Sequence, residues 1–196
     1  MNSDDLAGRL AFLRESERLK DTLRSGFTSE GARESSAEHS WRTCLFALAF
    51  ADQLEGIDMV RLLSLLIIHD LGEVYGGDVP AIFQLDNDGR DAREREDFHA
   101  LTEPLPAPLR TQMRALFEEY AGGETADAKL AKGFDKLETL LQHTQGANPA
   151  DFDYEFNLGY GARWTGDDAL LQTIRQVIDA ATRRRADGAP GWDKAG

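Results

Sequence analysis

The sequence predicts a single all-α domain of six to seven helices. Apolar residues recur at helical spacing along most of the chain, and glycines and prolines separate these stretches. No set of segments alternates apolar with polar residues as half-buried strands do. With 196 residues, the chain has the length of one domain with a sizeable core. The unequal helix lengths argue against a simple four-helix bundle.

The predicted helices follow one another closely along the chain. They are expected at 4–24, 37–55, 59–68, 91–101, 108–121, 125–145 and 167–184. Residues 27–37 are small and polar, and 72–89 is rich in glycine and turn residues, so both are predicted to be loops. We assign 1–185 to the domain and 186–196 to a tail whose glycine, proline and charged residues favour disorder.

Three of these helices carry apolar residues that are expected to face the core. These are Leu6, Leu10, Leu13 and Leu23 in the first helix, and Trp41, Leu45, Leu48 and Ala49 in the second. The third, 59–68, follows the capping residue Asp58 and is apolar nearly all round. It is therefore predicted to be central and buried.

Charge and cysteine content narrow the class of protein. The formal net charge of −13 repels a polyanion at long range, which argues against nucleic acid as a partner. A small phosphate ester remains compatible, because a local cation or metal can outweigh the global field. No apolar run approaches the roughly 20 residues that span a bilayer, and the first residues are polar and acidic. With one cysteine, Cys44, these features predict a cytoplasmic protein without a membrane partner.

The chemistry is concentrated in His69 and Asp70, which end the apolar third helix. A buried imidazole and carboxylate are costly unless something satisfies them, and a metal ion would do so. Further candidate ligands are His39, at the start of the second helix, and Asp135, beside an apolar helix face. Such a mixed nitrogen and oxygen set suits Mn²⁺, Co²⁺, Fe²⁺, Ni²⁺ or Zn²⁺ better than Ca²⁺.

Four short motifs carry a resemblance to a known family. They are ESSAEHS at 34–40, IHDLGE at 68–73, GDVP at 77–80 and FDKLE at 134–138. Together they resemble the 5′-deoxynucleotidase branch of the HD-domain superfamily of metal-dependent phosphohydrolases, over roughly residues 10–145. The resemblance implies a helical HD-domain fold with His39, His69, Asp70 and Asp135 as metal ligands. It also implies one metal ion, because His99 alone lies where binuclear relatives carry additional histidines.

Three further residues match functional positions of the family. The resemblance implies that Glu73 assists proton transfer, that Asp78 activates water or holds the substrate, and that Arg24 grips the phosphate. Each role is chemically reasonable for its residue type. The chain departs from the family where Ser25 follows Arg24, a place at which some members have tryptophan, and where 81–83 follow Pro80. Both departures leave the preference between deoxyribose and ribose open.

The implied activity is hydrolysis of a (deoxy)nucleoside 5′-monophosphate to nucleoside and inorganic phosphate by a homodimer. Two other functions stay open. One is another HD-type reaction, on a phosphomonoester, a phosphodiester or guanosine tetraphosphate. The other is a non-catalytic, metal-bound nucleotide-sensing domain. Glu73, Asp78 and Arg24 argue against the latter, since a structural metal site needs no open position.

Several other residues are expected to be structural. His99 lies in a mixed-charge run typical of a solvated face, and His143, which could approach the pocket, is likewise interpreted as structural. Cys44 is typical of a small buried hydrophobe. The aromatic residues could line a pocket, but core packing or a subunit contact is favoured. They are Phe152, Tyr154, Phe156, Tyr160 and Trp164.

Overall fold

The structure, a computed structural model, describes residues 1–85 and 88–192 and confirms an all-α domain. Within this part, seven helices have ten residues or more, and three are short. The long helices are α1 (Ser3–Ser16), α2 (Ser36–Ala49), α3 (Met59–Ile68), α5 (Arg90–Thr102), α6 (Ala107–Gly122), α7 (Ala126–Gln145) and α10 (Ala169–Ala186). The short ones are α4 (Glu73–Gly76), α8 (Tyr154–Gly159) and α9 (Ala162–Thr165).

The core is built mainly from α3 and α7. Helix α7 packs against α2, α3, α6, α9 and α10, so it is the central element of the fold. The large, fully buried apolar side chains of the two helices are Leu62, Leu65, Leu66, Phe134, Leu137 and Leu140. Asp58 caps α3 as predicted, since its carboxylate accepts hydrogen bonds from two main-chain N–H groups. Helix α3 is nevertheless buried on one side only, because Val60 and Ile67 are exposed.

A small β-hairpin near the amino terminus corrects two predictions. Helix α1 ends at Ser16, and the residues predicted to continue it form a 3₁₀ turn and then strand β1 (Leu23–Phe27). The stretch predicted as a loop contains strand β2 (Arg33–Ser35), which pairs with β1 antiparallel. The Arg33 guanidinium donates to the main-chain oxygens of Leu23 and Arg24 and so ties the strands together. Such long-range pairing overrides helical periodicity, and it places Arg24 on a strand.

The predicted inward faces of α1 and α2 are also wrong. Trp41, Leu45 and Leu48 on α2 are 61%, 48% and 50% exposed, and no residue of α1 is buried. The inner face of α2 instead carries His39 and Thr43. These polar groups are accommodated because each has a partner: Thr43 Oγ1 donates to the His39 carbonyl, and His39 contacts Glu138 on α7. Partnered polar groups therefore decide which face of α2 points inward.

Two segments predicted to lack regular structure are only partly described. The stretch 72–89 holds α4 and a 3₁₀ turn at Ala81–Phe83, while its residues 86 and 87 lie outside the described residues. In the predicted tail, Trp192 Nε1 donates to Thr144 Oγ1 at 2.8 Å, and 193–196 lie outside the described residues. The domain boundary at 185 and the disorder of the tail stay predictions. Within the described ranges, no helix has both the length and the apolar character required to cross a bilayer.

Candidate metal centre

The predicted ligands are brought together from three helices. His39 lies in the first turn of α2, whose start is fixed by a capping box between Ser35 and Glu38. His69 and Asp70 directly follow α3, and Asp135 lies in the middle of α7. All four side chains are buried. Residues far apart in the sequence therefore meet at one point in the core.

The donor atoms are spaced as ligands of one ion would be. His39 Nε2 lies 3.3 Å from His69 Nε2 and 3.2 Å from Asp135 Oδ1. His69 Nε2 lies 3.0 Å from Asp70 Oδ1. With metal–ligand bonds of about 2.1 Å, adjacent ligands of an octahedral ion lie about 3 Å apart. His39, His69 and Asp70 lie close enough to one another to hold one ion. With Asp135 beside His39, they form a donor set that suits a divalent transition metal, so the residues present fit such an ion.

The other ring nitrogen of each histidine is held in place. His69 Nδ1 donates to the Leu66 carbonyl at 2.5 Å, and His39 Nδ1 contacts Glu138 Oε2. A carbonyl or carboxylate partner at Nδ1 favours the tautomer whose Nε2 lone pair is free. Both Nε2 atoms are therefore oriented towards the common centre.

The two aspartates are oriented by groups on their opposite oxygens. The Tyr120 hydroxyl donates to Asp135 Oδ2 at 2.6 Å, and Lys136 Nζ lies 2.8 Å from the same oxygen. These contacts leave Oδ1 on the side of His39. Arg24 Nη1 donates to Asp70 Oδ2 at 3.3 Å, which leaves Oδ1 beside His69. Each carboxylate thus directs one oxygen to the centre.

The electrostatics of these residues follow from close, buried charges. Burial and Arg24 lower the pKa of His39, but Glu138 and Asp135 raise it more, to about 10. Burial raises the pKa of Asp135, whereas Lys136 and the histidines hold it well below its usual range. In the metal-free chain, an imidazolium therefore supplies positive charge that a bound metal ion would otherwise supply.

Arg24 connects the hairpin to this centre. Besides its contact with Asp70, its Nη2 donates to Thr139 Oγ1 at 3.1 Å, and Nη1 lies 3.9 Å from Asp78 Oδ1. Its Nε lies 3.5 Å from Glu34 Oε2. The guanidinium thus lies at the edge of the cavity beside the proposed ligands. Because of the hairpin, Arg24 approaches from a strand rather than from a helix end.

Glu73 and Asp78 also line this cavity. The Ser36 hydroxyl donates to Glu73 Oε2 at 2.7 Å, and the turn that places Glu73 is closed by its N–H donating to the Asp70 carbonyl. Burial, followed by the charge of Asp70, raises the pKa of Glu73 well above its usual value. Burial also raises the pKa of Asp78. Both carboxyl groups can therefore carry a proton at higher pH than a solvated acid.

A second carboxylate–histidine group, formed by Glu34, His39 and Glu138, could also hold a cation on spacing alone. Two arginines adjoin it: Arg24 Nε lies 3.5 Å from Glu34, and Arg42 Nη1 lies 3.4 Å from Glu138 Oε1. These guanidinium groups already neutralise the carboxylates. The two arginines therefore compete with a cation at this group, and Glu138 holds His39 Nδ1.

The cavity has a volume of about 860 Å³ and extends well beyond the metal centre. Its far wall contains residues for which the sequence favoured a structural role, namely His143, Phe152, Phe156, Tyr160 and Trp164. His143 follows Asp135 and Thr139 at helical spacing, and the four aromatic residues recur every four positions. Both patterns could have identified this wall. His99 does not line the cavity, and Cys44 packs against the main core.

Comparison with known proteins assigns the chain to a family. The family model of the HD domain matches residues 16–174, so the chain belongs to the HD-domain family. This confirms the resemblance inferred from the four motifs.

Two named relatives are 30% identical to this chain over the aligned residues. The 5′-deoxynucleotidase HDDC2 of Mus musculus is 30% identical over 141 residues, which cover 71% of this chain and 70% of that protein. The 5′-deoxynucleotidase hdd1 of Schizosaccharomyces pombe is 30% identical over 149 residues, covering 72% and 74%. A solved structure of a predicted metal-dependent phosphohydrolase from Magnetospirillum magnetotacticum superimposes with a TM-score of 0.76 at 27% identity, covering 96% of this chain and all of that one.

Proposed function

We propose that this chain is a metal-dependent phosphohydrolase that hydrolyses (deoxy)nucleoside 5′-monophosphates to nucleoside and inorganic phosphate. The observation that carries the proposal is the convergence of two imidazoles and two carboxylates beside Arg24. They meet at the wall of a cavity whose volume of about 860 Å³ is in the range that binds small molecules. The two relatives named 5′-deoxynucleotidases support the substrate class.

In this proposal His39, His69, Asp70 and Asp135 hold one divalent ion, chosen among Mn²⁺, Co²⁺, Fe²⁺, Ni²⁺ and Zn²⁺. Such an ion, when bound, supplies Lewis acidity and lowers the pKa of a water molecule. The protein contributes the orientation of the four side chains through Glu138, the Leu66 carbonyl, Tyr120 and Arg24. These partners keep the donor atoms directed inward before an ion arrives.

Arg24 binds the phosphate group of the substrate. Its guanidinium lies near three carboxylates, with Glu34 at Nε and both Asp70 and Asp78 at Nη1, so its charge is held in place. Because these carboxylates would otherwise repel a phosphate dianion, a cation at this edge is required for binding. Planar N–H groups also match two phosphate oxygens, which fixes the orientation of the phosphorus atom.

Glu73 and Asp78 move the protons. Because the pKa of Glu73 is raised the more strongly, Glu73 is the group that donates a proton to the leaving 5′-oxygen. Asp78, whose Oδ1 lies 3.9 Å from Arg24 Nη1, orients the attacking water and accepts its proton. The Ser36 hydroxyl occupies Glu73 Oε2 and thereby leaves Oε1 for this exchange.

The experiment is phosphate release from a panel of deoxy- and ribonucleoside 5′-monophosphates. The chain is first treated with a chelator and then supplied with Mn²⁺, Co²⁺, Zn²⁺ or Mg²⁺. We expect metal-dependent release that Asp70→Ala abolishes, and the ratio between the two sugar series gives the sugar preference. If the metal-loaded chain releases no phosphate from any of them, the proposed function is wrong.

We further propose that the protein works as a homodimer in the cytoplasm. The exposed apolar residues of α2, Trp41, Leu45 and Leu48, form a face that a second copy would cover. We expect a dimer mass by light scattering and a monomer for Trp41→Glu; a monomeric wild-type chain would contradict the proposed dimer.

The proposed cytoplasmic location is supported by the single, half-buried Cys44, whose pKa burial raises to about 11. A free thiol suits a reducing compartment, and cell fractionation tests the location.

A further inference from the structure

We propose that the cavity contains a second anion subsite, formed by Lys132 and Arg163, that binds a second phosphate group of a nucleotide. This inference rests on the proposed function for the nucleotide nature of the ligand. It adds a recognition element that the metal centre and Arg24 do not supply. The chemical class of ligand is therefore a nucleotide with one phosphate at the metal centre and another at this subsite.

The first observation is a positive wall in an acidic protein. The chain has 35 acidic against 22 basic residues, yet three cations line the cavity on the side of α7 and α9. They are Lys132, Lys136 and Arg163. Among the described residues, Lys136 pairs with Asp135, whereas neither Lys132 nor Arg163 lies within ion-pair distance of a carboxylate. In contrast, the arginines elsewhere in the cavity wall, Arg24, Arg90 and Arg95, all have carboxylate partners.

The second observation is that aromatic rings hold the two unpaired cations. Lys132 Nζ lies 4.2 Å from the centre of the Tyr120 ring and 5.0 Å from that of Trp164. The Arg163 guanidinium carbon lies 4.4 Å from the centre of the Trp164 ring. Cation–π contacts of this kind position a positive charge without neutralising it. The charge of both groups therefore stays available to an anion.

The packing around Trp164 depends on a glycine. Gly123 has a φ of 61°, in the left-handed region, and a Cβ there would lie 2.5 Å from Trp164 and 2.9 Å from Lys132 Cε. A side chain at this position would displace both the ring and the ammonium stem. The lysine is thus seated in a built pocket and is not a freely moving surface residue.

The third observation is that the cations repel one another. Lys132 and Lys136 are four residues apart on α7, where like charges are destabilising. Burial, then Lys136 and Arg163, lower the pKa of Lys132 to about 8, although Asp135 and Asp91 act in the opposite direction. Asp135 is paired with Lys136, and Asp91 with Arg90. A bound anion would relieve this repulsion.

The subsite lies close to the metal centre, because both adjoin Tyr120. The Tyr120 hydroxyl donates to Asp135, and Lys132 lies over the ring of the same tyrosine. One phenol side chain therefore separates the metal centre from Lys132. This separation suits two phosphates of one nucleotide, either adjacent in a 5′-diphosphate or on the 5′- and 3′-oxygens of one sugar.

The test is calorimetric binding in a Glu73→Gln background, which slows turnover. Metal-loaded protein is titrated with 2′-deoxyadenosine 5′-monophosphate, 5′-diphosphate and 3′,5′-bisphosphate. We expect at least one second phosphate to lower the dissociation constant about tenfold. The double variant Lys132→Met/Arg163→Met loses this gain and keeps its affinity for the monophosphate. Lys129→Met, an exposed charge on the same helix outside this cavity, keeps the gain.

The outcomes separate the sources of the second phosphate. A gain for the diphosphate alone assigns the subsite to the 5′ chain, and a gain for the bisphosphate alone assigns it to the 3′-phosphate. No gain for either compound, or a gain that survives in the double variant, overturns the proposal. A double variant that loses affinity for the monophosphate by the same factor overturns it too, because the cations would then hold the first phosphate.

Two controls keep the result decisive. Thermal unfolding shows whether the double variant is folded; if it is not, the exposed Arg163→Met alone is used, with an expected loss of half of the gain or more on a logarithmic scale. No loss in that variant overturns the proposal. Absence of phosphate release by the wild-type chain contradicts the proposed function, whereas these titrations decide the subsite independently of turnover.

Discussion

His39 and His69 are alike at one ring nitrogen and different at the other. Their Nε2 atoms lie 3.3 Å apart and face the same centre. Behind them, His69 Nδ1 is held by the main-chain carbonyl of Leu66, three residues earlier in α3. His39 Nδ1 is held by the carboxylate of Glu138, which lies on α7 and also contacts Arg42.

This difference indicates which side of the metal centre responds to mutation and pH. The anchor of His69 exists whenever α3 forms, because a backbone carbonyl does not depend on residue type. The anchor of His39 depends on one side chain, on its charge and on the packing of α2 against α7. The His39 side should therefore respond to mutation and pH, and the His69 side should resist both.

The largest effect on metal binding is expected when the imidazole of either histidine is removed. His39→Ala and His69→Ala each delete a proposed ligand, so each should weaken metal binding by more than about 100-fold and abolish phosphate release. Metal content after dialysis and calorimetric titration measure this. His99→Ala, a histidine outside the cavity, is the matched control and should keep full affinity. Full metal affinity in either ligand variant would remove that residue from the centre.

The contrast between the side-chain anchor of His39 and the main-chain anchor of His69 is tested most directly at Glu138. Glu138→Ala removes the anchor of His39, and we expect a loss of about 10- to 100-fold in metal affinity. Glu138→Gln keeps an oxygen that accepts from Nδ1 and should recover most of that loss. The dissociation constants of the two variants, together with the unfolding midpoint of each metal-free chain, separate orientation from stability. Equal affinities in the Ala and Gln variants would show that Glu138 does not orient His39.

The pH dependence of metal binding should reflect His39. Because its pKa in the metal-free chain is raised to about 10, an incoming ion must displace a proton at every pH below that value. Affinity therefore falls as pH falls, by about tenfold per unit for one displaced proton. Titrations between pH 6 and 8 in buffers of different ionisation enthalpy count the released protons. A pH-independent affinity would mean that His39 is already neutral.

The smallest effect is expected at Tyr120. Tyr120→Phe removes the hydroxyl that donates to Asp135 Oδ2 but leaves Lys136 on the same oxygen. One of two orienting contacts remains, so the loss in metal affinity should be about fivefold, or about 1 kcal/mol. Calorimetric titration beside the wild-type chain measures it. A loss of metal affinity as large as that of Glu138→Ala would show that metal binding depends equally on the contacts that orient Asp135 and His39.

The residues of the proposed metal centre could be predicted from the sequence because a histidine and carboxylates on apolar helices are chemically unusual. His69 and Asp70 directly follow the apolar run of α3, and Asp135 stands beside the buried Phe134 and Leu137. The structure brings these residues together as predicted, and their role as ligands stays a proposal. Helix α3 was predicted with its observed bounds, since Asp58 caps it and its apolar run is continuous.

The β-hairpin and the inward faces of α1 and α2 could not be predicted from the sequence. The strand at Leu23–Phe27 forms because it pairs with Arg33–Ser35, an interaction that no local window of sequence contains. On α2, the exposed Trp41 and Leu48 give the stronger apolar pattern, but His39 and Thr43 determine the inner face through partners elsewhere in the chain. Periodicity measures hydrophobicity alone, so it cannot detect a polar face whose partners come from elsewhere in the chain.

The position of Trp164 gives the molecule an optical reporter of its own. Of the three tryptophans, Trp164 is the one in the wall of the large cavity, where Lys132 and Arg163 lie against its ring. Trp41 is exposed on the outer face of α2, and Trp192 donates to Thr144 near the end of α7. Indole emission responds to nearby charge and to solvent access. A chain that keeps Trp164 and carries phenylalanine at the other two positions would therefore report occupancy of the cavity by its fluorescence alone, without a label and without turnover.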